Sequence, residues 1–236
     1  MTKSAVSHAN LNKLSRNNKS KKIISILSEF SELRNCDILE IGTGSGYIIN
    51  HLSKISKSAS SVDINDERKI KSGYSFRKIN DEHLPFKDNS FDIILSNHVI
   101  EHLPNHELHL SEIYRVLKDN GIVYLATPNK YWIMEAHHKV PFLAYLPREL
   151  STIYLKILKN KEWDIYPLSF GMLKKLIKKQ FVLKIFTIDI IKQPKKYNLD
   201  IMKMIHPLLE ILPISILKML NPFFPDYILI LQKHNK

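Results

Sequence analysis

The chain of 236 residues predicts an α/β fold, a doubly wound and mostly parallel sheet. Three observations predict it. Short apolar runs alternate with stretches of helical periodicity between residues 37 and 127. Three of the six glycines stand together, at Gly42, Gly44 and Gly46, directly after the first run. The composition, 44% apolar and 25% charged, is that of an ordinary globular chain and excludes disordered and fibrous classes.

The elements follow in order. Residues 1–36 read as a basic helical N-terminal arm, with Ile23, Ile24, Ile26, Leu27 and Phe30 at helical spacing behind Lys19, Lys21 and Lys22. Residues 37–236 read as the main domain. Runs at 38–41, 60–64, 75–79, 91–96 and 122–127 are expected strands; helices are expected at 46–57, 66–72 and 106–118. Runs this short, separated by helices, belong to a sheet covered on both faces. Asp119-Asn120-Gly121 is a turn signal that should stop the third helix. Beyond Thr127 the grammar changes, and most of the eleven prolines lie there. Residues 128–168 read as a first insertion, partly helical. A helix at 169–179 and a strand at 181–190 resume the pattern, 197–225 form a second insertion, and 227–232 close the sheet. Insertions this long in a compact domain are usually binding elements.

Charge is uneven. Residues 1–36 carry a net +5, residues 37–130 a net −2 and residues 131–236 a net +9, within a total of +12. Basic flanks suit an anionic partner, although a Lys-, Ile- and Asn-rich composition produces the same surplus without one. The single cysteine, Cys36, excludes a disulfide framework or a cysteine-rich zinc module and points to a reducing, cytoplasmic setting. No early apolar run follows the N-terminal charges, so no cleavable signal peptide is expected.

The glycine loop narrows the ligand. Glycines permit a sharp turn and bring backbone N–H groups close to a bound group. A dinucleotide fingerprint needs a third glycine at position 47, where Tyr47 stands, and no Gly-Lys-Ser/Thr phosphate loop is present. What remains is G-x-G-x-G preceded by Glu40, with Asp63 ending the second strand where a carboxylate can hold a ribose diol.

With these residues the sequence resembles the class I S-adenosylmethionine-dependent methyltransferases, in particular the group that includes ubiquinone and menaquinone methyltransferases. Asp37-Ile-Leu-Glu-Ile-Gly-Thr-Gly-Ser-Gly46 resembles their first motif and Val62-Asp-Ile64 their second. The stretches 83–92, 96–103 and 112–121 resemble the segments around their fourth strand and before their fifth. The resemblance implies a seven-stranded Rossmann-like fold and S-adenosyl-L-methionine as cofactor. It implies that Glu40, Gly42, Gly44 and Gly46 pass against the methionine part, and that Asp63 binds the ribose with Ile64 against the adenine. It places Asn80 or Asp81 at the adenine amino group and Ser96 beside the reactive end.

His98-Val-Ile-Glu-His102 also fits the H-x-x-E-H string of inverted zinc peptidases. The same five residues follow the fourth strand in the methyltransferase group, so no metal is expected. On the acceptor side, the segment from Thr127-Pro-Asn through Glu135-Ala-His137 resembles one bacterial branch of the family, with Ala136 where that branch has proline. It follows the fifth strand, at the sheet edge where ligands bind. His137 is the expected base or acceptor-binding residue, with Asn129, Glu135 and His138 as substrate-side neighbours. The alternative is that His137 only packs the insertion.

The second insertion is very apolar but broken by four prolines, Glu210 and Lys218, so it is not a spanning helix. It reads either as a lid or dimer contact, or as a membrane-interface element beside the Lys-rich stretch 174–196. The expected function is methyl transfer to a small-molecule or lipid-linked acceptor, at oxygen: a quinol precursor, a glycan or a lipid hydroxyl. The expected place is the cytoplasm, with an anionic membrane surface as a possible partner and nucleic acid disfavoured. The rivals are an RNA methyltransferase and a non-catalytic cofactor-binding protein of the same fold.

Overall fold

The computed structural model describes residues 12–197 and 211–234. Seven strands form one sheet in the order β3-β2-β1-β4-β5-β7-β6. They are β1 (Asp37–Ile41), β2 (Ser58–Asp63), β3 (Ser75–Lys78), β4 (Phe91–Asn97), β5 (Leu117–Pro128), β6 (Phe181–Ile185) and β7 (Asp226–Lys233). The first five pair in parallel, while β7 runs antiparallel to both β5 and β6. The doubly wound sheet expected from the alternation is therefore present.

Alternate residues of each strand bury against opposite helix layers. Ile38, Ile93, Leu95, Ile122, Tyr124 and Ile230 face α1 (Lys13–Leu27) and α2 (Tyr47–Ser53). Leu39, Ile94, Val123, Leu125 and Leu229 face α3 (His106–Val116) and α5 (Phe170–Ile177). Lys118 Nζ ties three strand starts together, donating to Asp37 Oδ2 at 3.0 Å and Asp92 Oδ2 at 2.8 Å. Those bonds, with Ser58 and Lys57, outweigh burial and hold Asp37 down at a pKa of about 2.

Four expectations need correction. The N-terminal helix is present, but it is no separate arm, because Ile23, Ile26 and Leu27 are fully buried in the main core. Residues 66–72 form no helix. Asp66 Oδ1 instead accepts from the Arg68 backbone at 3.3 Å and its Nε at 2.8 Å, and Lys69 N donates to Ser45 O at 2.9 Å. A short polar side chain thus offers the backbone an alternative to helix, and the segment is pulled onto the glycine loop. Asp119–Gly121 do not form a free turn; they lie inside β5 as an irregularity, where the register against β4 shifts between Phe91 and Ile93. The strand expected at 181–190 ends at Ile185. Phe186 turns into the core and Thr187–Lys192 form α6, whose Ile188 and Ile191 pack on Leu217 of α7 (Ile214–Leu220).

The first insertion holds a 3-10 turn (Leu143–Tyr145) and α4 (Arg148–Lys159). It carries its own small core of Val140, Leu143, Leu155, Trp163 and Ile165. Of the second insertion, residues 198–210 lie outside the described residues. No helix among the described residues is long and apolar enough to cross a membrane.

Candidate active site

A cleft of about 480 Å³ opens at the carboxyl ends of β1, β2 and β4. It lies where the strand order reverses between β1 and β4, the position at which open α/β sheets bind ligands. The glycine loop forms one wall. Gly42 and Gly44 both have positive φ, +78° and +51°. A Cβ on Gly42 would lie 2.5 Å from Val99 Cγ2, so a side chain here must displace Val99 and is strained by the positive φ. Gly44 N donates to Asp63 Oδ2 at 2.8 Å, and Asn65 N donates to Asp63 Oδ1 at 3.2 Å. Each carboxylate oxygen keeps a further lone pair for a hydroxyl in the cleft. Ile64, 42% exposed, lies beside it, and Asn80 and Asp81 stand on the rim.

Gly42, Gly44, Asp63, Ile64, Asn80, Asp81 and His137 thus line one cleft. Six other expected site residues do not. Glu40 is fully buried beneath the loop, where burial pushes its pKa up to about 8, opposed by Arg16 and reinforced by Asp63. Gly46 caps α2 at φ +79°, and a Cβ there would strike Ile70 O at 2.6 Å. Its glycine serves the packing of the β2–β3 connection. Ser96 is buried and shares a 2.9 Å hydrogen bond with His109 Nε2. Asn129 spends its amide on Pro222 O and Phe224 O, 2.7 and 2.8 Å away, and its Oδ1 on Tyr131 N. It joins the two insertions. His138 packs against Trp163, with Nε2 3.7 Å from Asp164.

Glu135 and His137 form a pair. Glu135, buried, accepts from the backbone of His137 and His138, and its Oε1 lies 3.0 Å from His137 Nδ1. Burial pulls the His137 pKa down, but the hydrogen bond to Glu135 and the charges of Glu135 and Glu101 outweigh it, and the net direction is up.

Arg16, from α1, lines the cleft beside the glycine loop, and no motif in the sequence marks it. Glu101, the glutamate of the H-x-x-E-H string, lines a small niche next to the cleft with Glu135 and His137. His98 adopts φ +57°, a conformation rare outside glycine, and turns the chain into a 3-10 helix (Ile100–His102). That turn sinks Glu101 completely. Thr127 Oγ1 donates to its Oε2 at 2.9 Å, while Oε1 lies 3.3 Å from His98 Nδ1 and 3.9 Å from His137 Nε2. Burial raises the Glu101 pKa, yet His98 and His102 hold it below the ordinary carboxylate value. On a 3-10 turn residues four apart diverge by about 120°, so His98 and His102 do not stack as zinc-peptidase ligands do on an α-helix. His102 meets His137 instead, ring centroids 4.7 Å apart, and Glu101, His102 and His137 bring donor atoms within 4.8 Å of one another.

Residues 39–125, from β1 through most of β5, match the family model described as a methyltransferase domain. The matched stretch holds the glycine loop, Asp63 and Glu101. It is a class I, S-adenosylmethionine-dependent methyltransferase domain. The chain is similar to a probable S-adenosylmethionine-dependent methyltransferase of Mycolicibacterium smegmatis, 28% identical over 124 residues, 50% of this chain and 48% of that one. It is similar to a ubiquinone biosynthesis O-methyltransferase of Bartonella bacilliformis, 28% identical over 151 residues and 58% of each chain. This chain spans about half the length of the curated relatives it matches. The fold is shared with an S-adenosylmethionine-dependent methyltransferase of Mesorhizobium loti, at TM-score 0.58, 11% identity, 91% of this chain and 98% of that one. The cofactor of this class fits the methyltransferase domain's cleft: the Asp63 carboxylate lines it, the apolar Ile64 stands beside that carboxylate, and the side-chain-free backbone of Gly42 and Gly44 forms one wall.

Proposed function

We propose that the chain methylates an oxygen of a small-molecule or lipid-linked acceptor, with His137 as general base. The observation that carries this reading is the His137–Glu135 pair, delivered by the first insertion onto the wall of the donor cleft. The curated O-methyltransferase relatives favour oxygen.

When bound, S-adenosylmethionine supplies a methyl group activated by its sulfonium. The chain's residues then align and deprotonate. Asp63 would hold the ribose hydroxyls and Ile64 would lie against the adenine. Glu135 accepts from His137 Nδ1–H, which fixes the tautomer and leaves Nε2 to take the acceptor hydroxyl's proton as the oxygen attacks. Glu101, 3.9 Å from Nε2, stabilises the imidazolium that results. Val99, Leu103 and Ile41 wall the cleft with apolar surface and limit water at the reacting centre.

Calorimetric titration with S-adenosylhomocysteine, with NADH as control, tests the donor half. Asp63→Ala should weaken binding ~10-fold or more, the loss of a charge-assisted hydrogen bond pair. Transfer of labelled methyl to a lipid or small-molecule extract tests the acceptor half. His137→Ala should keep its affinity for S-adenosylhomocysteine and lose roughly 10²–10⁴-fold in rate. Well-folded protein that ignores S-adenosylhomocysteine would overturn the donor reading, and an unimpaired His137→Ala the assignment of the base.

A further inference from the structure

Helix α4 buries Ser151 and Leu155 and turns a second apolar stripe outward. Leu150, Ile153 and Ile157, at i, i+3 and i+7, are 51%, 55% and 75% exposed, on the side away from the core. The neighbouring 3-10 turn adds exposed Phe142 and Tyr145. Their rings lie 5.7 Å apart, and Tyr145 lies 5.4 Å from Tyr131. Phe142 N donates to Ile133 O at 2.7 Å, which holds Ile133 and Trp132, both exposed, in the same surface. Among the described residues nothing packs on this face. Exposed apolar surface on this scale marks an interaction site.

We propose that this face docks the chain on an anionic bilayer, α4 lying in the interface with its apolar stripe down. Charge selects that occupant. Lys139, Lys156, Lys159 and Lys161 are exposed around the stripe, against the exposed acids Glu149 and Glu162, on a chain of net +12. Two further acids lie in the first insertion: Asp164, half-buried and 3.7 Å from His138 Nε2, and Glu135, which is buried and held by His137 and His138. An amphipathic helix with lysines beside its apolar stripe, next to Trp and Tyr rings, is the pattern of an interfacial element. The face also adjoins the acceptor side: Lys130, beside Tyr131, lines a small niche with Glu101, Glu135 and His137. Membrane contact is thus assigned to the first insertion, whereas the sequence offered it for residues 197–225 as the alternative to a lid or dimer contact. The inference stands without the proposed acceptor, since vesicle binding needs neither donor nor acceptor.

Co-sedimentation of the full chain with phosphatidylglycerol–phosphatidylcholine vesicles, against phosphatidylcholine alone, tests it. The chain should pellet with the anionic vesicles and shift the emission of exposed Trp132 to the blue. The double variant Ile153→Glu, Ile157→Glu should partition ~10-fold or more weaker, and Lys156→Glu, Lys159→Glu should fall to the level on neutral vesicles. Both should retain wild-type affinity for S-adenosylhomocysteine, which shows that they fold. Wild-type protein left in the supernatant, or variants that pellet like wild type, would overturn the proposal. So would a dimer in sedimentation velocity that the same substitutions dissolve, because the face would then be an interface between two copies.

Discussion

Gly42, His137 and His109 each turn a local environment into a measurable consequence. Gly42→Ala forces a Cβ against Val99 at a positive φ, so it should cost about 1–3 kcal/mol in chemical denaturation. It should also weaken S-adenosylhomocysteine binding; a variant as stable and as tight as wild type would mean the loop relaxes freely. His137 must be neutral to take a proton, and its pKa is raised. The rate should therefore fall as pH drops through a value above the ordinary ~6.5. Glu135→Gln removes the anion that raises it, so the acid limb should move to lower pH while the rate falls; a limb that stays put would remove Glu135 from that role. The same raised pKa means that the pair stabilises the fold fully below pH ~6.5 and loses that contribution as pH rises through the folded value. His109 behaves in the opposite sense. Burial, with His106 nearby, pushes its pKa down to about 4. Stability should therefore decline as pH falls from about 6.5 towards 4, by on the order of 3 kcal/mol. His109→Leu should flatten that acid limb, whatever its effect on absolute stability.

Elements differ in how far their own residues decide them. The strand runs of β1 and β4 were legible because a strand buried on both faces is a continuous apolar string. Residues 66–72 looked helical by periodicity. They are pulled out of helix by Asp66 and by hydrogen bonds to Ser45, which lies more than twenty positions earlier. The first helix was read correctly as a helix and wrongly as an appendage, because lysines on one side conceal that the other is fully buried. Ile26→Ala should accordingly cost about 2–5 kcal/mol, as a core truncation does. A shift of a few tenths of a kcal/mol would restore the reading of a separate arm. Site residues divide on the same line. Those after β1 and β2 carry a spacing signal, whereas Arg16 carries none: it reaches the cleft only because α1 packs across the sheet.

At the scale of the whole molecule, two cores cover the sheet, while the first insertion rests on a small core of its own. Native-state hydrogen exchange should therefore show α4 opening at lower free energy than β4 and β5. Equal protection would mean that the insertion and the sheet are one cooperative unit. The sequence by itself determined the alternation of strand and helix, the glycine loop, the carboxylate at the end of β2 and the methyltransferase class. Those features depend on neighbours within a few positions and on motif order. Only the tertiary structure decided that Glu101 sinks beneath His98 and His137, that Asn129 and His138 face away from the cleft, and that α4 turns its apolar stripe outward. Each of those outcomes depends on groups far apart in the chain meeting at the edge of one sheet, and no local pattern of residues encodes which side of a loop will be buried there.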